Sequence, residues 1–285
     1  VMRFLDNVLT DFIERAPEQF DDAKYSAEKE RSVGLGVMGF HSYLQQHSIP
    51  LESVMSKVWN KKIFKHIQEH VDQASKDLAD ERGACPDAAD YGYNERFSNK
   101  TAIAPTASIS IICGGASPGV EPVAANSYTH KTLSGSFNVR NRYLVELLEK
   151  HGKNNDDVWS GITTNQGSVS HLDFLTDLEK DVFKTAFELD QKWIIELSGD
   201  RTPFISQAQS INLFVPADIH KRELHKIHFD AWKKGLKSLY YCRSKSIQRA
   251  ENVNDTKATD VTANVYKSKP QTTEQPEYEE CLSCQ

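Results

Sequence analysis

Apolar residues recur at helical spacing in the first third of the chain. Near the start, a set of them falls on one face of a helix: Phe4, Leu5, Val8, Leu9 and Phe12. This spacing predicts an amphipathic helix. A second set predicts a longer helix over about residues 52–81, with one face formed by Val54, Met55, Val58, Trp59, Ile63, Phe64, Ile67, Val71 and Leu78.

Short apolar runs in the rest of the chain predict strands that are buried on both faces. They cover residues 101–104, 210–215 and 238–243. Helical spacing returns over about residues 138–150 and 178–197, and Asp218 is placed to cap a further helix that runs to about residue 234. Short buried strands separated by helices indicate an α/β fold with parallel strands.

Three glycines separate the two helices predicted in the first third. Gly34, Gly36 and Gly39 fall in an otherwise apolar run. A lone Gly-x-Gly is weak support for a nucleotide site, and close backbone packing or a bend explains the same residues. We favour packing.

The composition changes after residue 245. Residues 246–280 are rich in Asn, Asp, Thr, Lys, Gln and Glu and contain almost no large apolar side chain. Burial of so little apolar surface does not offset the entropy lost on ordering. We therefore predict a folded domain over residues 1–245 and a flexible tail over residues 246–285.

The overall composition is that of an ordinary globular protein, with 39% hydrophobic and 26% charged residues among 285. The net charge of -6 argues against broad binding to nucleic acids, although a few aimed donors can still bind phosphate. No apolar run approaches the roughly 20 residues that span a bilayer. Five cysteines without a disulfide framework, and a start that lacks a secretion signal, indicate the reducing cytoplasm.

Hydroxyl side chains are concentrated directly after the first predicted strand, at Thr106, Ser108 and Ser110. At such a turn, hydroxyls and free backbone N–H groups can bind phosphate, particularly where a helix begins. The alternative, which the residues alone somewhat favour, is a turn whose hydroxyls bond to their own backbone. In the glycine-rich run that follows, Glu121 is either a ligand contact or a helix cap.

Tyr240 and Tyr241 are adjacent in the last predicted strand. Neighbouring side chains of a regular strand point to opposite faces, which would make both of them packing residues. A local departure from strand geometry would instead let the rings stack, and stacked phenols could relay an oxidising equivalent. Each phenol is neutral near pH 7, so its oxidation also releases a proton. The residues alone favour two core tyrosines.

Two cysteines, Cys281 and Cys284, lie at the end of the predicted tail. Zinc normally takes four ligands and the tail holds no other Cys or His, so we expect no metal site. Two thiols at this spacing on a flexible arm suit thiol–disulfide exchange, although the neighbouring Glu279 and Glu280 disfavour the thiolate. The other cysteines are expected to be buried and inert: Cys85, Cys113 and Cys242.

Several distinctive segments occur in one order. They are residues 31–37 (Arg-Ser-Val-Gly-Leu-Gly-Val), 83–86 (Gly-Ala-Cys-Pro), 105–110 (Pro-Thr-Ala-Ser-Ile-Ser), 114–122 (Gly-Gly-Ala-Ser-Pro-Gly-Val-Glu-Pro) and 239–244 (Leu-Tyr-Tyr-Cys-Arg-Ser), followed by the terminal Cys-x-x-Cys. The ordered set resembles the catalytic (large) subunit of class I ribonucleotide reductases over essentially the whole chain. The resemblance implies the C-terminal part of that subunit. Its fold is a ten-stranded α/β barrel made of two five-stranded halves, and this chain would supply mainly the second half.

The resemblance also implies a role for each segment. Tyr241 would receive an oxidising equivalent from a small subunit that carries a di-metal tyrosyl radical cofactor, and Tyr240 would pass it to a catalytic cysteine. Cys281 and Cys284 would reduce the active-site disulfide and be reduced in turn by thioredoxin or glutaredoxin. No cofactor is expected on this chain itself. A ribonucleoside diphosphate would bind through its diphosphate at Pro105, Thr106, Ala107, Ser108 and Ile109.

One motif of the family is missing from the sequence. No Asn-x-Cys-x-Glu, which carries the radical-bearing cysteine and its acid–base glutamate, occurs in the 285 residues. We therefore expect a split subunit, in which this chain reduces ribonucleoside diphosphates to 2'-deoxyribonucleoside diphosphates only with a separate N-terminal half and a small subunit. The alternative is a non-catalytic remnant, or a module that binds the small subunit or a thioredoxin-like protein.

Overall fold

Helices and short strands alternate along the chain. The structure is a computed structural model that describes residues 1–132 and 135–244, so the predicted tail with Cys281 and Cys284 lies outside the described residues. The helices are α1 (Met2–Arg15), α2 (Asp21–Glu30), α3 (Phe40–Gln46), α4 (Val54–Arg82), α5 (Pro86–Asp90), α6 (Ala107–Ile112), α7 (Arg142–Lys150), α8 (Asp156–Thr164), α9 (Asp177–Val182), α10 (Gln191–Arg201) and α11 (Lys221–Lys233). The strands are β1 (Ser127–Thr132), β2 (Gly135–Arg140), β3 (Leu213–Val215) and β4 (Cys242–Ser244), and short 3-10 helices cover Glu18–Phe20 and Thr202–Phe204.

Four extended segments lie side by side and run parallel. The first pair meets at Leu35 and Thr101, and the second at Ile103 and Gln209, each through a parallel bridge. The third pair is β3 and β4, which are parallel along their whole length. Helices connect the segments, as parallel strands require. The arrangement confirms the predicted α/β fold with parallel strands.

Both helices predicted in the first third are confirmed as α1 and α4. Ser53 caps α4, because its hydroxyl oxygen accepts the N–H of Ser56 at 3.1 Å. Gly83 ends the helix with a φ of 89°, a conformation that favours glycine. The buried face of α4 includes Phe64, Val71 and Leu78.

The helix predicted over residues 178–197 is wrong as a single element. The segment contains two helices, α9 and α10, with residues 183–190 between them. Polar capping residues explain where these two helices begin. Thr176 and Glu179 form a capping box at α9, and the Asp190 carboxylate accepts the N–H of Lys192 at α10. The apolar spacing continues across the gap, so it could not reveal the break.

Two other helices begin later than predicted. The helix expected over residues 138–150 begins at Arg142, because the Asn141 side chain caps it. The residues before it form β2, which pairs antiparallel with β1. The helix expected to be capped by Asp218 is α11, and its N-cap is His220.

Helix α10 lies at the centre of the packing, in contact with α4, β3 and α11. Its Ile194 and Leu197 belong to the largest apolar cluster, together with Phe40 of α3 and Phe64 of α4. Ile195 faces a second cluster, formed with β3 and α11. None of the helices within residues 1–132 and 135–244 combines the length and apolar character needed to cross a membrane.

The packing interpretation of the early glycines is confirmed at Gly36. A Cβ atom at this position would lie 2.5 Å from the carbonyl oxygen of Ala102 on the neighbouring segment. No side chain fits at that distance, so glycine is needed for the first and second extended segments to pair.

Asp6 of α1 is fully buried and accepts hydrogen bonds from three arginines. Its Oδ1 accepts from Nε of Arg31 and Nε of Arg96, both at 2.9 Å, and its Oδ2 accepts from Nη1 of Arg82 at 2.7 Å. Burial by itself raises the pKa of Asp6, but the three arginines more than offset it and hold the pKa below its ordinary value. The cluster fastens α1 to α4 and to the segments around residues 31 and 96.

We predict that Asp6→Ala lowers the free energy of unfolding by about 3–5 kcal/mol, because it leaves partly buried guanidinium groups without their carboxylate. Asp11→Ala is the matched control on the same helix, since the exposed Asp11 pairs with the exposed Arg15. Its loss should cost less than about 1 kcal/mol. Urea unfolding of the three proteins measures the difference, and equal costs would refute the role of the cluster.

Candidate functional site

The predicted phosphate segment forms a tight turn after the second extended segment. Thr106 has a left-handed backbone, with a φ of 54°, and α6 begins directly after it. The Thr106 hydroxyl oxygen accepts the N–H of Gly119 at 2.7 Å, which leaves its own proton for a ligand. The first backbone N–H groups of a helix have no partner within the helix. The turn therefore presents a hydroxyl and several backbone donors at one place.

The three hydroxyls of the turn differ in their surroundings. Ser110 is buried and donates to the carbonyl oxygen of Ala107 at 3.0 Å, so the alternative in which hydroxyls bond to their own backbone holds for this residue. Ser108 is exposed. Thr106 is half-buried and bonds instead to the glycine-rich segment. Two of the three hydroxyls thus remain able to donate to a ligand.

Helix α3 anchors the glycine-rich segment that supports the turn. Ser42 and Ser117 exchange two hydrogen bonds, each hydroxyl oxygen accepting the backbone N–H of the other residue, at 2.8 and 3.1 Å. His41 Nδ1 accepts the N–H of Val123 at 3.1 Å, and burial lowers the pKa of this imidazole to about 3, so it stays neutral. Gly119 has a φ of 46°, and a Cβ there would lie 2.9 Å from a backbone oxygen.

A cavity of about 350 Å³ lies between Pro105, which leads into the turn, and Tyr240 of the tyrosine pair. Ala104 and Pro105 line one side, Leu239 and Tyr240 line another, and residues 207–210 form the wall between them. The parallel pairing of the extended segments explains this arrangement. It places the end of the second segment beside the middle of the third, and the start of β4 beside the same part of the third.

Tyr240 and Tyr241 are in contact with each other and are not core residues. Their ring centroids are 4.2 Å apart at an interplanar angle of 60°, and the residues are 48% and 40% exposed. The expectation of two packing tyrosines on opposite faces is therefore wrong. The physical reason is local, because regular strand geometry begins only at Cys242, after the pair. The two rings therefore lie against each other.

The backbone of the tyrosine pair is held more firmly than its rings. The N–H of Tyr240 donates to the carbonyl oxygen of Ile211, and the N–H of Leu213 donates to that of Tyr241, both at 2.9 Å. The guanidinium carbon of Arg243 lies 5.5 Å from the centroid of the Tyr241 ring, within the range of a cation–π contact.

Glu121 is buried between the glycine-rich segment and β3. Its Oε2 accepts from the side-chain amide of Asn212 at 3.0 Å. Its Oε1 is also buried and, among the described residues, has no hydrogen-bond partner. Burial raises the pKa of Glu121 to about 7, although the Asn212 hydrogen bond and the positive charge of Arg243 lower it.

The other candidate side chains are scattered. Cys85 is buried as expected, but Cys113 and Cys242 are exposed, because each lies in an irregular or edge segment, so that expectation is wrong for both. Cys281 and Cys284 remain a prediction. Within the part of the chain that the structure describes, no three residues among His, Cys, Asp and Glu are grouped as metal ligands would be.

Sequence reasoning missed two buried polar residues: Arg201, which bonds to the cavity-lining Gln209, and Asn212, which bonds to Tyr241. Arg201 donates to Gln209 at 2.6 Å, to Asn60 at 2.9 Å and to Ser198 at 2.8 Å. A signal for Asn212 was present, since it interrupts an apolar strand run, and a buried amide needs partners. Nothing in the spacing around Arg201 distinguishes it from an exposed arginine near a helix end.

We predict that Glu121 makes the stability of the chain fall as pH rises from about 5 to 8. The pKa of this carboxyl is about 7 in the fold and 4.5 ordinarily, so the folded state binds more protons between these values and loses stability as the proton leaves. Relative to Glu121→Gln, the wild type should lose on the order of 3 kcal/mol over this range. Urea unfolding at several pH values measures this, with the exposed Glu146→Gln as the control for loss of one charge. A pH-independent difference would contradict it.

Comparisons with known proteins agree with this architecture. The family model described as ribonucleotide reductase, barrel domain, matches residues 1–95 and 87–242. The ribonucleoside-diphosphate reductase large subunit of Invertebrate iridescent virus 6 is 50% identical over 258 residues, which cover 89% of this chain and 27% of the relative. The protein of the same name from Invertebrate iridescent virus 3 is 45% identical over 262 residues, covering 91% of this chain and 41% of the relative.

A solved structure shows the same fold. The alpha subunit of the Actinobacillus ureae class Id ribonucleotide reductase superposes with a TM-score of 0.79 at 39% sequence identity, over 86% of this chain and 45% of that one. The chain thus spans between about a quarter and a half of the length of these relatives. The matched family model, the high identities and the shared fold together show that this chain belongs to the ribonucleotide reductase family and corresponds to part of the barrel domain of a class I large subunit.

Proposed function

We propose that this chain supplies the substrate-phosphate turn and the tyrosine relay of a ribonucleoside-diphosphate reductase large subunit. The observation that carries the proposal is the shared cavity, which Pro105 lines from the turn and Tyr240 lines from the tyrosine pair. A substrate held by its diphosphate at the turn would lie beside the residue that delivers the oxidising equivalent. The names of the relatives, ribonucleoside-diphosphate reductase large subunits, support the same activity.

The turn suits the diphosphate of a ribonucleoside diphosphate on chemical grounds. Phosphate oxygens accept hydrogen bonds, and the start of a helix provides N–H donors with a favourable dipole. The hydroxyls of Thr106 and Ser108 add two more donors, and Pro105 restricts the backbone that leads into the turn. The proposed diphosphate site consists of Pro105, Thr106, Ala107, Ser108 and Ile109.

The relay is proposed to run from Tyr241 to Tyr240. Oxidation of a phenol removes one electron and one proton, so the Tyr241 radical would take both from Tyr240, and Tyr240 would in turn take both from a cysteine thiol. The contact between the rings supports this direct transfer. The oxidant would come from the radical-generating small subunit, and the thiol would lie outside these 285 residues, which hold no Asn-x-Cys-x-Glu motif.

Exposed apolar side chains support a partner for the folded part. Phe4 and Val8 on α1 are 67% and 50% exposed, and Val54, Met55 and Val58 on α4 are all at least 49% exposed. Exposed apolar side chains grouped on a helix in this way mark surfaces that another part of a protein covers. We propose that the remainder of a large subunit, which carries the reacting cysteine, packs here as a separate N-terminal half.

We propose that the terminal cysteines reduce the active-site disulfide back to two thiols. The thiolate of one, Cys281 or Cys284, would attack the active-site disulfide, and the other would resolve the mixed disulfide, which leaves the pair oxidised. Thioredoxin or glutaredoxin would then return the pair to two thiols by the same exchange.

We predict that Tyr240→Phe and Tyr241→Phe each abolish reduction of ribonucleoside diphosphates by the assembled enzyme, because Phe has no phenolic proton to release. The assay combines this chain with an N-terminal half and a small subunit, and it measures deoxyribonucleoside diphosphate formed. Tyr91→Phe is the matched control, since this tyrosine is 81% exposed and distant in sequence from the pair.

Three outcomes of this assay would count against the proposal. Retained turnover in both variants would refute the relay. Turnover by this chain alone would refute the need for a separate half. No turnover from well-folded, co-purifying components would instead favour a module that binds the small subunit or a thioredoxin-like protein.

We predict that Cys281→Ser or Cys284→Ser blocks multiple turnovers with thioredoxin but spares turnover with a small dithiol, which can reach the active-site disulfide directly. Cys113→Ser is the control, because Cys113 is also exposed. Steady-state rates with the two reductants measure the effect. An equal loss with both reductants would show that the pair has another role.

A further inference from the structure

Glu121 and Asn212 connect the two halves of the proposed site. We infer that they are positioning residues, which hold the backbone of Tyr241 at a fixed place relative to the phosphate turn. The role of this contact in catalysis rests on the proposed function. The contact itself can be tested without measuring enzyme activity.

The connection consists of three hydrogen bonds and a short stretch of backbone. The N–H of Gly119 donates to Thr106 in the turn, and Glu121 lies two residues further along the same segment. The carboxylate of Glu121 accepts from the side-chain amide of Asn212 at 3.0 Å. The side-chain oxygen of Asn212 in turn accepts the backbone N–H of Tyr241 at 3.1 Å. One amide side chain thus joins the glycine-rich segment to the tyrosine pair.

Burial makes this contact rigid. Glu121 is 6% exposed and Asn212 is 2% exposed, so water cannot readily replace either hydrogen bond. A buried amide that loses a partner is left unsatisfied, which costs more than the bond itself contributes. With both its donor and its acceptor engaged, the Asn212 side chain has a single favourable orientation.

The tyrosine pair is held mainly through its backbone. Both tyrosines are a little under half exposed, so apolar packing holds them less than it holds a core residue. The pair also precedes the regular part of β4. The bond from Asn212 is therefore an additional constraint on Tyr241 where ordinary strand pairing is only beginning.

The test is amide hydrogen exchange at Tyr241 in the full chain, followed by NMR. Asn212→Ala removes the acceptor, and Glu121→Met removes the group that orients Asn212 while keeping a side chain of similar length. Both should speed exchange of the Tyr241 N–H by roughly five- to tenfold, the effect of losing about one hydrogen bond. Glu121→Gln keeps an acceptor for the Asn212 amide and should restore most of the protection.

The backbone amides of two neighbouring residues distinguish the positioning of Tyr241 from a general loosening of the strand pair. The N–H groups of Tyr240 and Leu213 bond to backbone oxygens in the same strand pair, and their exchange should change little. A matched control, Glu52→Met, removes a carboxylate that bonds the N–H of Asp190 elsewhere in the fold, and it should leave Tyr241 unaffected. The inference is overturned if all three strand amides speed up together, or if Tyr241 does not respond to Glu121→Met.

A kinetic measurement then tests the purpose of the contact. In the assembled enzyme, Glu121→Met should lower kcat at least tenfold with little change in KM for the ribonucleoside diphosphate, because the turn keeps its bond to Gly119. Glu121→Gln should recover most of the rate. A change in KM alone would overturn the positioning role. Wild-type enzyme without activity would count against the proposed function, while the exchange result would still decide whether the contact exists.

Discussion

The structure depends on one extended segment, residues 206–215, that is paired on both sides. In its first half, Ala208 and Ser210 bond to the backbone of Ile103, and in its second half Ile211 accepts from Tyr240. Parallel pairing fixes the register of each strand relative to its neighbour. As a result, Pro105, which leads into the turn, and Tyr240 line the same cavity, although they are far apart in sequence.

Buried polar contacts fix the register of this segment more strictly than apolar packing can. Gln209 bonds to the buried Arg201, and Asn212 bonds to Glu121. A slip of one residue would turn each amide to the opposite face and away from its partner. Apolar side chains in the same run would tolerate such a slip better, since Leu, Ile and Val can pack against the same apolar neighbours. The polar residues thus select one register among several that could be buried equally well.

The sequence predicted the elements better than it predicted their ends and their irregular parts. Long apolar periodicity was enough for α1 and α4, and short apolar runs were enough for three of the four parallel segments, whereas the segment at Leu35 was not predicted as a strand. Periodicity could not show the break between α9 and α10, because capping by Thr176 and Asp190 is a local polar effect within a continuous apolar pattern. The contact between Tyr240 and Tyr241 could not be derived from strand geometry, since it exists where that geometry has not yet begun.

The tyrosine pair combines two requirements that usually conflict. In the proposed relay, a residue that exchanges an oxidising equivalent with another subunit would have to be reachable, yet transfer would depend on a fixed distance between the rings. Core burial would satisfy the second requirement and defeat the first. Here the rings are about half exposed, while backbone bonds to Ile211 and Leu213, and the side chain of Asn212, hold the segment that carries them. Buried residues therefore hold the backbone of the pair, while both tyrosines stay partly exposed and Tyr240 lines the cavity.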